Sequence, residues 1–334
     1  MSLGTSAEGS HTHSILQSRT VPERFQLWAA EHSLVVLAIL LVLMIVAAGV
    51  AIPGFFALRQ VPVLLSTVAI LGVFGAGQQM PILTGGIDLS NTAVATAAGF
   101  VSAMLVSHQA EAIIAALGFG VLVGVINGLF IGYFQISALI VTLGMQGILT
   151  GGIDVYTASA NEKTVPPAFL IHLGSLRYWG YLPAIAIVWA AVCVGVFFVL
   201  ERTKFGKLVY AVGSNPEACR LAGVNTNLIL LLVYAIAGLL AAAAGLLLAG
   251  FSSAVFATSA SNYLLPTIAV VVIGGTSILG GSGSFVGTIL GTLIVSVLDV
   301  LLTLINAVGT GEDIVFGAVI IGLAWIYGWT EFSA

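Results

Sequence analysis

Asp88 is the only Asp, Glu, Lys or Arg between Arg59 and Glu111. Gly85 and Gly86 precede it, and a run of small residues follows. That layout suits a carboxylate that caps the free N–H groups at the start of a helix. It also suits a gate or a pathway contact, because an ionisable group at membrane depth must face a cavity or a partner. A cap on a broken helix beside a solute path would do both. Uncharged amides accompany it in or near apolar runs: Gln78, Gln79, Asn91, Asn127, Gln146 and Asn262. Amides both donate and accept, as a hydroxyl-rich solute requires. They can equally well bond helix to helix. Asp299 is a second carboxylate inside an apolar run, able to pair, titrate or face the pathway. These eight residues form the candidate pathway set.

Other chemistries find no support in the sequence. GGSG at Gly280–Gly283 offers a serine, Ser282, but none of the five histidines follows it, as an intramembrane serine protease would need. No cluster of His, Cys or carboxylates has the spacing of metal ligands. No G-x-x-x-x-G-K-[ST] stretch exists, since Gly206–Lys207 is followed by Leu208. Nucleotide chemistry would therefore belong to a partner chain. No basic patch suited to nucleic acid is present.

A different kind of chemistry is written in GSNPEACRLAGVNT, Gly213–Thr226. Asn215 is a favoured N-cap and Pro216 suits the first helical position. Glu217 lies in the first turn, where the helix dipole favours an anion. Arg220 follows, and Gly223 can end the helix in a left-handed conformation. The expected helix is about seven residues, too short to persist alone in water. It must pack on its own membrane domain or dock on a partner, with Phe205, Tyr210 and Leu221 as apolar anchors.

The elements that position these residues are membrane helices. Hydrophobic residues make up 59% of the chain and charged residues 7%, against about 25% charged in a soluble domain. Apolar runs of the length a bilayer demands recur throughout, and the 40 glycines favour close helix packing. The expected fold is all-α, a polytopic bundle of about ten helices, near 34–51, 61–81, 88–107, 112–132, 136–152, 180–200, 226–249, 263–279, 284–305 and 313–329. Gly-rich stretches break spans two, three, eight and nine. Residues 1–32 are read as a polar cytoplasmic N-terminus, partly disordered and without a signal-peptide layout; residues 33–334 form one transmembrane domain. With the N-terminus inside, Arg19, Arg24, Arg202, Lys204, Lys207 and Arg220 are cytoplasmic, and Arg59, Lys163 and Arg177 are outside. The positive-inside rule prefers this arrangement. Both termini then face the cytoplasm, and Gly151–Trp179 becomes the longest outer loop. TGGID occurs twice, at Thr84–Asp88 and Thr150–Asp154, at opposite sides of the membrane, and reads as coincidence rather than repetition. Leu83–Val101 and Leu279–Val295 are better candidates for a repeat, since both are Gly-rich entries into small-residue helices.

Three segments carry a family resemblance. The loop with Thr203, Phe205, Gly206, Tyr210, Ala211, Gly213, Asn215, Ala218, Arg220, Leu221 and Gly223 resembles the coupling-helix loop of ribose-type ABC transporter permeases. LTGGIDLSNTAVATAAG (Leu83–Gly99) and LLPTIAVVVIGGTSILGGSGSFVGTILGTLI (Leu264–Ile294) are similar to two further motifs of that family. NGLFIGYFQISALIVTLGM (Asn127–Met145) extends the likeness over most of the chain. Asn91, Pro266, Ser282 and Asp299 depart from the family's usual residues. The resemblance implies a non-catalytic inner-membrane subunit that forms the pathway for a monosaccharide or sugar-like solute. It implies coupling to the ATPase through Phe205, Gly206, Tyr210, Asn215, Pro216, Glu217, Arg220, Leu221 and Gly223. It also implies ATPase partners that carry ATP and Mg, a second permease chain, an extracytoplasmic sugar-binding protein and surrounding lipid. A proton-coupled secondary transporter using Asp88 or Asp299 is the alternative.

Overall fold

The structure is a computed structural model, and it describes residues 33–51, 55, 57–159, 164–304, 311 and 313–321. The N-terminal segment 1–32 and the end of the expected tenth span lie outside the described residues. The helices in chain order are α1 (Ser33–Ala51), α2 (Val61–Leu83), α3 (Asn91–Met104), α4 (Gln109–Gly132), α5 (Ala138–Ser159), α6 (Ala168–Ser175), α7 (Ala184–Arg202), α8 (Lys204–Ser214), α9 (Pro216–Leu221), α10 (Thr226–Ser252), α11 (Leu264–Ile273) and α12 (Phe285–Leu304). A two-residue hairpin, β1 (Arg177–Tyr178) with β2 (Leu182–Pro183), joins α6 to α7. Residues 313–321 are helical.

Seven of these helices are long and apolar enough to cross a membrane: α1, α2, α4, α5, α7, α10 and α12. Spans three and eight differ from expectation. The segment 88–107 yields the 14-residue α3, and 263–279 yields the 10-residue α11 after a short 3₁₀ turn. Ten residues rise only about 15 Å, half of a hydrocarbon core of about 30 Å. In both cases glycine-rich turns shorten the helix at the same end of the bundle. The expected loop Gly151–Trp179 starts as helix instead, because α5 continues to Ser159, and α6 follows.

Glycines set how the bundle closes. Gly120, Gly124, Gly128 and Gly132 of α4 lie against the backbone of Gly238, Tyr234, Leu231 and Asn227 of α10, and a Cβ at any of the four would collide with it. This ladder of small residues lets two antiparallel backbones touch along three turns. The same central helix, α10, also packs on α2, α3 and α6. Its first turn lies at the end that carries the 203–225 loop, here the near end. Gly250 at its other terminus abuts Leu170 of α6, at the far end.

Candidate functional site

The near-end loop is built by local caps. Thr203 Oγ1 accepts from the Gly206 N–H at 3.1 Å and starts α8. Val209 and Val212 are buried, while Phe205 and Tyr210 are half-buried against a core that includes Leu83, Leu200, Val233 and Tyr234. The Tyr210 hydroxyl is pushed up to about 12, first by burial and then by the charge of Glu201. Asn215 ends α8 and, without an intervening residue, caps α9: its Oδ1 accepts from the Ala218 N–H at 2.9 Å. Pro216 is the first helical residue, and Glu217 and Arg220 form an ion pair one turn apart. Gly223 takes φ +80, its N–H donates to the Arg220 carbonyl at 3.0 Å, and Val224 N–H donates to the Cys219 carbonyl at 2.9 Å.

The helix so capped is six residues long, one fewer than expected. One residue of it, Cys219, is buried against the domain. Leu221 does not anchor the helix inward; it is 82% exposed. The reason is periodicity: on so short a helix, Cys219 takes the inward direction, and Glu217, Arg220 and Leu221 are left facing outward.

Four of the eight candidate pathway residues meet in one buried cluster where α2 ends, and a fifth, Gln79, is buried next to it in sequence. Gln78, Gln79, Asp88, Asn91 and Asn127 are each at most 1% exposed. Asp88 Oδ1 accepts from the Ser90 N–H at 2.9 Å and from the Ser90 hydroxyl at 2.6 Å, which secures the turn before α3. Asn127 of α4 donates to Ser90 Oγ at 2.9 Å. Gln78, oriented to satisfy both its amide atoms, donates to the Asp88 carbonyl at 3.0 Å and accepts from the Asp88 N–H at 3.2 Å. Asn91 lies 3.2 Å from the same amide. Gln79 donates to Thr276 Oγ1 at 3.4 Å, tying this break to the turn after α11. Thr142 of α5 donates to the Ile87 carbonyl at 3.1 Å.

The other three stand apart. Gln146 is half-buried on α5, one turn beyond Thr142. Asn262 is exposed in the turn before α11 and accepts from Ser261 Oγ at 3.3 Å. Asp299 is half-buried in the far-end half of α12, in electrostatic contact with Tyr263. Sequence reasoning missed Ser90, Thr142 and Thr276. Ser90 had a local signal, two residues after Asp88; the others join through tertiary packing alone. Among the described residues no group of three or more His, Cys, Asp or Glu could hold a metal ion.

Three chain segments close on one another just above α9. Gly281 N–H donates to the Leu83 carbonyl at 2.9 Å. Ser214 Oγ donates to the Tyr210 carbonyl at 3.0 Å and reaches the Gly281 carbonyl at 3.3 Å. Gly213 lies so near Leu83 that a Cβ would collide with the Leu83 carbonyl.

The bundle, with seven helices long and apolar enough to cross a membrane, is that of an all-α polytopic membrane protein. The family model described as branched-chain amino acid transport system / permease component matches residues 62–324. The fructose import permease protein of Rhizobium meliloti is 34% identical over 93% of this chain and 89% of its own. The ribose import permease protein of Escherichia coli K12 is 32% identical over 86% of this chain and 90% of its own. The galactose/methyl galactoside import permease protein of the same strain is 30% identical over 80% and 86%. No solved structure matches. The chain belongs to the permease family of the monosaccharide ABC transporters.

Proposed function

We propose that the chain forms the pathway through which an ABC importer passes a monosaccharide or sugar-like solute, and that α9 is the docking point of a partner ATPase. The observation that carries the second half is α9 itself. Six residues do not hold a helix alone; here caps at both ends hold it, and it offers an ion pair and a bare leucine to solvent. The sugar assignment rests on the fructose, ribose and galactose named for the relatives.

Arg202, Lys204, Lys207 and Arg220 all lie at the near end, which supports a cytoplasmic near end and both termini inside an inner membrane. ATP and Mg then belong to the partner. A second permease chain and an extracytoplasmic sugar-binding protein complete the assembly. Within the pathway, we assign Gln78, Gln79, Asp88, Asn91 and Asn127 to a gate that is sealed in this conformation. Half-buried Gln146 and Asp299 and exposed Asn262 take the direct contacts with solute.

The test is purification of the tagged chain from native membranes in mild detergent. A P-loop ATPase and a second permease chain are expected to come with it. A lone chain that transports in liposomes without ATP would overturn the reading in favour of a carboxylate-coupled carrier. In the intact complex, Arg220→Ala should lower ATP-dependent uptake at least tenfold while the chain stays folded; undiminished uptake would remove the role given to Arg220.

A further inference from the structure

We infer that the backbone seam joining Gly213–Ser214 to Leu83 and Gly281 is the joint that passes displacement of α9 to both broken turns at once. The inference rests on the docking role proposed for α9. It concerns residues outside the docking face: Gly213 and Ser214 at the end of α8, Leu83 at the end of α2, and Gly280–Gly281 in the turn before α12.

Three features of the seam support it. First, there is no slack between α9 and the seam, since Asn215 is at once the C-cap of α8 and the N-cap of α9. Second, the seam is backbone against backbone. A Cβ on Gly213 would collide with the Leu83 carbonyl and approach the Gly281 nitrogen to 2.6 Å; one on Gly280 would approach the Gly85 nitrogen to 2.6 Å. Side chains can absorb a push by changing rotamer. Touching peptide groups have no such freedom, and close-packed contacts transmit displacement. Third, the seam touches both breaks, at the start of the first and near the end of the second. Leu83 leads into Thr84–Ser90 with the Asp88 cluster, and Gly281 sits in the turn that holds Thr276, the partner of Gln79. Leu83 and Gly281 are bonded to each other, so neither break can follow α8 without the other.

The experiment uses the full chain with its ATPase and binding protein, with Cys193 replaced by Ala; Cys219, buried in α9, is kept, and its labelling in the chain without a reporter is subtracted. Single reporter cysteines are placed by Ile87→Cys in the first break and Leu279→Cys in the second. Maleimide labelling rates are compared with and without ATP trapped by vanadate. In the parent, both rates should shift together, by about fivefold or more. Gly213→Ala should abolish the shift at both reporters while the ATPase still co-purifies. If Gly213→Ala prevents assembly, Ser214→Ala, which removes the hydroxyl's reach to Gly281 together with its local bond to the Tyr210 carbonyl within α8, decides, and should reduce both shifts together. The inference is overturned if the parent rates ignore ATP while the ATPase is bound, or if the shifts survive in Gly213→Ala. It is equally overturned if one break responds without the other, or if Ser214→Ala matches the parent where it is the deciding variant. Absence of a bound ATPase from the parent complex would instead strike the docking proposal itself.

Discussion

The heptapeptide ILTGGID occurs at Ile82–Asp88 and again at Ile148–Asp154, and the two copies fold differently. The first ends α2 and turns: Gly85 takes φ +76, its N–H donates to Ile82, and Gly86 donates back to Pro81. The second continues as helix through the middle of α5. Local propensity is the same in both, so surroundings decide. Around the first copy the protein supplies what an open backbone needs. Gly281 N–H satisfies the Leu83 carbonyl, Thr142 the Ile87 carbonyl, and Gln78 the peptide groups of Asp88. Around the second, Gly151 and Gly152 are exposed and nothing lies within 4 Å of a Cβ at either. A segment facing lipid must satisfy its own hydrogen bonds, and helix is the way to do so; irregular backbone is tolerated at membrane depth only inside protein.

Paired substitutions sharpen that contrast. The largest difference is expected at Gly86 and Gly152. A Cβ on Gly86 would collide with the hydroxyl of fully buried Tyr234 and lie 3.1 Å from Ala138 Cβ. Overpacking of this kind costs about 1–3 kcal/mol, so Gly86→Ala should lower the thermal midpoint of the detergent-purified chain clearly. Gly152→Ala should not lower it. Equal losses would mean that burial does not separate the two copies.

Next come the carboxylates. Asp88→Ala strips the Ser90 N–H and hydroxyl of their acceptor in a sealed site, at about 1–3 kcal/mol for buried groups left unsatisfied. Asp154 is exposed on α5, and Asp154→Ala should stay within about 0.5 kcal/mol. Asp88→Asn, which keeps an acceptor, should recover part of the loss. Full tolerance of Asp88→Ala, read by the same thermal midpoint, would remove its role in holding the break.

How much of this was legible in the sequence follows the same division. The caps of α9 are local, so Asn215, Pro216 and Gly223 announced the helix and its end correctly. The grouping of Gln78, Asp88 and Asn91 was half-visible, because thirteen residues or fewer separate them. The outward turn of Leu221 was not legible, since it depends on which face of α9 Cys219 buries. Nor was the meeting of Leu83, Gly213 and Gly281, whose carbonyls and amides come from three distant segments. The sequence marked both copies of TGGID alike; only the neighbours supplied by α5, α8 and the turn before α12 tell them apart.

The smallest effect distinguishes conformation from packing. At Gly85 a substitution meets two obstacles: φ +76 is a left-handed backbone, and the Leu279 carbonyl lies 3.1 Å from the position of a Cβ. The left-handed conformation alone costs an L-residue about 1–2 kcal/mol. At Gly151 neither obstacle exists, and alanine in a helix interior is favoured over glycine by about 0.5–1 kcal/mol. Gly85→Ala should therefore destabilise, and Gly151→Ala should raise the thermal midpoint slightly. The opposite signs matter more than the sizes, because one residue change in one shared heptapeptide is being read in two backbones. A gain at Gly151 means that α5 uses this glycine for nothing inside the chain. A loss there, seen only when the ATPase and second permease are present, would mean that the bare face of α5 is covered in the assembled transporter.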